Sequence, residues 1–185
     1  LEFRRVLFRS RGVGAATSVG LMGKLQQDGG PDMLVVIGYP QSGIQLFRDL
    51  YGMGRSDLDV LVPDGLQDTA LPNQVGNPMD NVTGTAPAPA GPNRQAFQQL
   101  YRDEYNSDPG VFTSQSYDSV AILILANAAA GENSGPAIRE QMRRIANPAG
   151  QDFGPENFVD AVRAAANGDD VNYQGASSVT NFDEN

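Results

Sequence analysis

Two short apolar runs, spaced by one helix's worth of chain, constrain this sequence more than anything else in it. Asp32-Met33-Leu34-Val35-Val36-Ile37 reads as a buried strand that stops at Gly38-Tyr39-Pro40, and Leu58-Asp59-Val60-Leu61-Val62 reads as a second that stops at Pro63-Asp64-Gly65. The segment between them, residues 42–51, has a helical pattern. Strand, helix and strand within about thirty residues make a βαβ unit, whose crossover is right-handed and whose strands are therefore parallel. Tyr39 and Asp64 then fall at one edge, the carboxyl end of the sheet, where open α/β folds bind their ligands.

The first ten residues, Leu1-Glu2-Phe3-Arg4-Arg5-Val6-Leu7-Phe8-Arg9-Ser10, match the read-through translation of a sequencing adapter and are set aside as a processing artefact. They carry three arginines and one glutamate, +2, so the remaining chain carries −11 against the −9 of the whole. With a single lysine, Lys24, and no basic cluster, such a chain is not expected to bind nucleic acid or an anionic membrane surface electrostatically. Asp outnumbers Glu 16 to 6. This excess reads either as adaptation to high salt, where dense carboxylates keep a surface hydrated, or as the biased composition of an ordinary acidic secreted protein. The length suits one domain or parts of two, and 40% hydrophobic residues suffice for a core. The apolar run 120–130 is too short for a membrane span.

The chain has neither His nor Cys, which removes the commonest general base and the strongest nucleophile and rules out a disulfide framework. No catalytic residue, metal site or cofactor is assigned. Gly12-Val13-Gly14-Ala15-Ala16-Thr17 has two glycines of a dinucleotide fingerprint but neither the third nor a preceding strand. Gly38-Tyr39-Pro40-Gln41-Ser42-Gly43 lacks the spacing of a nucleophile elbow; Ser42 reads as a helix N-cap.

Downstream, Phe97, Leu100, Tyr101 and Tyr105 form one apolar stripe on a helix after Pro92, expected to be core packing. A long helix over 116–130, capped by Gly131, is apolar on most faces, which implies burial on several sides. Asp118 is expected in its first turn, where the helix dipole favours it. Two further helices open at Pro136 and Pro155. Residues 81–85 are β-prone, and the Pro- and Ala-rich stretch 86–92 has linker composition. Asn81-Val82-Thr83 is a weak glycosylation pattern, and Asn167-Gly168-Asp169-Asp170 is an acidic turn without calcium-loop spacing.

The ordered set Gly29-Gly30-Pro31-Asp32, Val35-Val36-Ile37-Gly38-Tyr39-Pro40, Leu61-Val62-Pro63-Asp64-Gly65, Val82-Thr83-Gly84-Thr85, Ser116-Tyr117-Asp118-Ser119-Val120-Ala121 and Tyr173-Gln174-Gly175-Ala176-Ser177-Ser178 resembles the second half of a type I periplasmic binding protein. Within that family it is most similar to the solute receptors of branched-chain amino acid ABC transporters, including those of salt-loving archaea. The resemblance implies an α/β fold, part of a two-lobed clamshell of parallel sheets flanked by helices. Residues 11–81 would be the later part of lobe 2, 82–91 a hinge crossing and linker, 92–174 helices returned to lobe 1, and 175–185 the start of the last crossing.

The resemblance also assigns a ligand site: Tyr39 as an aromatic packed against the ligand, and Asp64, with Gly65 beside it, as the carboxylate that holds an ammonium. Gln41 and Ser42 lie at the same helix mouth as second-rank candidates. Read without the resemblance, Asp64-Gly65 is a turn and Tyr39 a packed strand-end aromatic. The implied ligand is an amino acid or amide, and the implied partners are ABC transporter permease subunits. The implied location is extracytoplasmic, with membrane attachment only through an N-terminal anchor that the chain lacks. The alternative on the same fold is a sensory receptor; a carboxylate enzyme would need a second acid such as Asp68. Because the strands that the return helices would cover fall outside the chain, exposed apolar surface is expected on the 116–130 helix.

Overall fold

The structure, a computed structural model, describes residues 5–9, 31–147 and 149–183. The Gly12 to Thr17 run and Lys24 lie outside these residues. The chain divides into two compact units, Leu1–Ala86 and Pro87–Asn185.

Unit 1 is a four-stranded parallel sheet in the order β1 (Arg5–Arg9), β2 (Met33–Ile37), β3 (Asp59–Val62), β4 (Val82–Gly84). The segment set aside as adapter-derived thus supplies the edge strand among the described residues, pairing Arg5 with Met33 through Arg9 with Ile37; Val6-Leu7-Phe8 is a β-prone run. Helix α1 (Pro40–Gly52) makes the β2–β3 crossover. It begins two residues before the expected 42–51 span because Pro40 is pre-set for the first helical position and holds Tyr39 extended, at φ −122° and ψ 165°.

Burial alternates along β2 and β3, with Leu34, Val36, Val60 and Val62 on the covered face against Leu46, Phe47 and Leu50 of α1. Ile37 and Leu61 on the other face are 40% and 38% exposed. A short helix α2 (Leu71–Val75), absent from the sequence reading, adds Leu71 and Val75 to the same core. The glycosylation pattern at Asn81 is spoken for: its amide donates to the Leu58 carbonyl at 2.6 Å and accepts from the Tyr51 hydroxyl at 2.8 Å. Burial pushes the Tyr51 phenol up, an effect that the Asn81 bond opposes and Asp80 reinforces.

Unit 2 packs helices α3 (Arg94–Tyr105), α4 (Thr113–Ala130), α5 (Gly135–Ala146) and α6 (Phe158–Asn167) with a parallel pair of strands, β5 (Gln151–Phe153) and β6 (Val171–Tyr173). Ile122, Leu125, Ile145, Phe153, Ala161, Val171 and Tyr173 form its core. The α3 stripe differs from its expected role. Phe97 is buried, but Leu100 and Tyr105 are exposed, because the helix meets the 3₁₀ turn Pro155–Asn157 and its last turn carries the stripe into solvent as a row of ring contacts.

Helix α4 starts at Thr113, three residues early, so Asp118 lies in its second turn, where the dipole argument no longer applies, and is only 3% exposed. Burial on several sides is not what α4 shows. Ala121, Ile122, Leu125 and Ala126 face the core, while Val120, Leu123 and Ile124 are 56%, 48% and 44% exposed, the exposed apolar surface expected on this helix. In the acidic turn after α6, the cation is the protein's own: the Arg144 guanidinium bonds Asp170 at 3.2 Å and the Gly168 carbonyl.

Candidate functional site

At the carboxyl edge of unit 1, β2 runs out into Gly38-Tyr39 and β3 into Pro63, followed by a 3₁₀ turn, Asp64–Leu66. Two glycines let these strand ends and α1 come together. A Cβ on Gly43 would lie 2.5 Å from Leu66 Cδ2, so the bare helix surface there receives the leucine that anchors the turn, itself 3% exposed. A Cβ on Gly65 would lie 2.6 Å from the Gly38 carbonyl oxygen and 3.6 Å from the Tyr39 ring. Gly65 therefore seats the Asp64 turn directly against the end of β2, with the Tyr39 ring alongside.

Tyr39 thus meets Gly65, and Asp64 is the residue before it in the same turn. The Tyr39 side chain is 72% exposed, so its role as a packed strand-end aromatic does not hold within the described residues. Asp64 is half-buried, and among the described residues its carboxylate has no hydrogen-bond or ion-pair partner. A half-desolvated carboxylate can hold a cationic head by charge-assisted bonds, and an exposed aromatic ring at the same sheet edge can add cation–π attraction.

The other candidates divide. Ser42 is not the N-cap; Tyr39 is, and Ser42 is the third helical residue. Its hydroxyl reaches back to accept from the Tyr39 N–H at 3.3 Å and donate to the Tyr39 carbonyl at 3.0 Å. It shapes the strand-to-helix turn, and that hydroxyl is already engaged. Gln41 is exposed on the first turn of α1. Asp68 accepts the Ala70 N–H at 2.8 Å and closes a local turn. Among the described residues no group of three acidic side chains is placed to hold a metal.

Beside this cluster, a cavity of about 350 Å³ opens at the ends of β3 and β4, lined by Val62, Pro63, Gln67, Thr83 and Thr85 among others. The sequence reading missed it, and missed Gly38 as the contact that fixes Gly65. The available signal was a Gly directly after the strand-ending Pro-Asp pair, which marks a close backbone approach.

A family model described as periplasmic binding protein matches residues 19–169. No curated protein matches. Among solved structures, the chain is similar to a branched-chain amino acid transporter substrate binding protein, LivJ, from Streptococcus pneumoniae, crystallised with isoleucine, at 25% identity and TM-score 0.53 over 70% of this chain and 37% of that one. It is also similar to a leucine binding protein, LivK, from Thermotoga maritima, at 21% identity and TM-score 0.59 over 98% of this chain and 44% of that one. The chain therefore spans less than half the length of these solved relatives.

Proposed function

The chain belongs to the periplasmic binding protein family, and from that premise we propose that it forms part of a clamshell receptor that captures an amino acid for an ABC transporter. The parallel strands flanked by helices match the type I fold of that family, and a solute-binding, extracytoplasmic role follows from membership. The ligand, the transporter and the attachment are our reading.

The observation that carries it is the Asp64 carboxylate, half-buried and without a partner among the described residues, in a turn whose Gly65 abuts Gly38 and the exposed Tyr39 at the carboxyl edge of the sheet. Asp64 holds the ligand ammonium and Tyr39 covers it. Each charge-assisted bond to Asp64 contributes roughly 1.5–3 kcal/mol. The groups that would grip the ligand carboxylate belong to the early strands of lobe 1, and this edge supplies the other half of the site. Closure brings the halves together by hinge motion, and the ligand stabilises the closed form by touching both. The relative crystallised with isoleucine supports an α-amino acid as the ligand, and permease subunits are the partners that read the closed form. The chemistry is capture without bond making, and an N-terminal lipid anchor would hold the receptor at the membrane.

The test is thermal stabilisation of the full receptor by a panel of amino acids, amides and urea, at high salt to suit the Asp-rich chain, with Asp64→Ala in parallel. A rise in Tm with leucine or isoleucine that vanishes in the variant supports the assignment. A rise untouched by Asp64→Ala returns Asp64 to a turn residue, and no rise with any amino acid removes them as ligands.

A further inference from the structure

Asp118 is the most enclosed carboxylate in the described chain, and its bonds join segments distant in sequence. Oδ1 accepts from the Tyr173 hydroxyl at 2.8 Å and the Ala176 N–H at 2.9 Å, and Oδ2 accepts from the Ser177 N–H at 2.7 Å and the Ser177 hydroxyl at 2.5 Å. Four donors and no cation among the described residues compensate a charge that is 3% exposed. The fit leaves no room for a side chain, since a Cβ on Gly175 would lie 2.6 Å from Asp118 Oδ2.

The segment so held is in turn bonded to the chain's entry into unit 2. Ala90 N–H donates to the Ser177 carbonyl at 2.8 Å, Gly91 to Ala176 at 3.2 Å and Asn93 to Gly175 at 3.3 Å, while the Asn93 side-chain amide donates to Gln174 at 2.8 Å. A Cβ on Gly91 would lie 2.3 Å from the Gly175 carbonyl oxygen, so the two backbones are in direct contact. On the other side, the last backbone bond into unit 1 is from Thr85 N–H to the Val62 carbonyl at 3.1 Å. Ala86-Pro87-Ala88-Pro89 lies between, with two residues that have no N–H to donate and with the Pro89 carbonyl accepting from the exposed Arg94 guanidinium at 3.3 Å.

We propose that Asp118 is a positioning residue for lobe movement: it fastens residues 90–93 and 174–177 into one rigid ribbon and so confines bending of this crossing to residues 86–89. The consequence for closure rests on the clamshell reading above; the rigidity of the ribbon does not.

The test is amide hydrogen exchange on the whole chain, without and then with L-isoleucine. Without ligand, Asp118→Asn, which keeps the volume but turns a donor toward one pair of N–H and O–H groups, should speed exchange at Ala90, Gly91, Ala176 and Ser177 by about tenfold or more, with Ile145 and Ala165 unchanged. Rates at Ala176 and Ser177 within about twofold of the parent would overturn the proposal. Should Asp118→Asn not fold, Ser177→Ala and Tyr173→Phe each remove one donor and are expected to give about two- to fivefold effects at the same amides; no effect in either overturns it. With L-isoleucine on the full receptor, exchange should change at Ala86 and Ala88 and stay constant at Ala90, Gly91, Ala176 and Ser177, a pattern that a purely stabilising Asp118 would not impose. Ligand-induced change inside the ribbon overturns the pivot assignment. If no amino acid binds, the amino acid reading fails, and the ligand-free exchange alone decides whether Asp118 holds the ribbon.

Discussion

Replacing Gly65 by Ala puts the strand-end geometry to a quantitative test. The added Cβ would stand 2.6 Å from the Gly38 carbonyl oxygen, whereas carbon and carbonyl oxygen settle at roughly 3.3 Å or more. The two backbones must therefore separate by about 0.7 Å. Neither partner can rotate away, because one is a carbonyl at the end of β2 and the other sits in a turn pinned by Leu66 against Gly43. The Tyr39 ring, at 3.6 Å, is in ordinary contact and does not obstruct. Forced expansion of a packed contact of this kind costs about 1–3 kcal/mol. With a urea dependence of about 1–3 kcal/mol per molar, the midpoint should fall by about 1 M.

Circular dichroism across a urea titration measures this, and Gly110→Ala is the control. Its new Cβ meets nothing closer than Thr113 Oγ1 at 3.6 Å, so its effect should stay within about 0.5 kcal/mol. If Gly65→Ala unfolds no earlier than Gly110→Ala, the close approach is not what seats the Asp64 turn, and the site geometry argued from it fails.

Leu125, fully buried in the unit 2 core, should cost about 2–5 kcal/mol when cut to Ala, read as a lower urea midpoint; a loss below about 1 kcal/mol would mean the core collapses around the gap. Leu123→Glu, on the exposed face of α4, should lower binding of a hydrophobic dye while moving stability by no more than about 0.5 kcal/mol, and a large destabilisation would mean that the face is covered. Burial foremost, then the Asp118 charge and hydrogen bond, raise the Tyr173 phenol well above its ordinary value of 10.0. The folded state therefore keeps a proton that the unfolded chain gives up, so stability is level below pH 10.0 and falls as pH rises beyond it, by about 1.4 kcal/mol per unit for this group. Urea midpoints across that range should show a shallower fall in Tyr173→Phe, with Tyr51 and Tyr117, also raised mainly by burial, leaving a residual slope; an unchanged slope would refute the assignment.

Strands β2 and β3 of unit 1 were legible because their evidence is local, apolar runs that end at Gly or Pro and a crossover of a length that forces parallel strands, whereas β1 fell in the segment set aside as adapter-derived. The helix opened by Pro136 and the left-handed cap at Gly131, φ 67°, were legible for the same reason, whereas Pro155 opens a 3₁₀ turn and its helix begins only at Phe158. The three-residue strands β5 and β6 were not, because a parallel pair of that length is defined by its partner rather than by its own pattern. The α3 stripe misled because periodicity gives the direction of a helix face and not whether anything stands opposite its far end; Phe97 has the Tyr117 ring 4.9 Å away and Tyr105 lies in solvent.

Asp64 and Asp118 show where such reading stops. Each is an aspartate beside an apolar segment, and a charge near a strand end or a helix start carries the same weight in sequence for both. What separates them is the supply of donors. Asp118 is met by a tyrosine hydroxyl and by Ala176 and Ser177, more than fifty residues away, and the glycine at 175 that allows their approach looks like any turn glycine until the backbone is placed. Asp64 follows its strand by two residues and is seated by Gly65 at the open edge, with no donor among the described residues. A buried charge that the fold saturates has no capacity left for a ligand, whereas a half-buried one that the fold leaves unsaturated gains by taking one. The opposite outcomes expected of the two substitutions, lost ligand stabilisation for Asp64→Ala and faster exchange in the ligand-free chain for Asp118→Asn, follow from that difference alone.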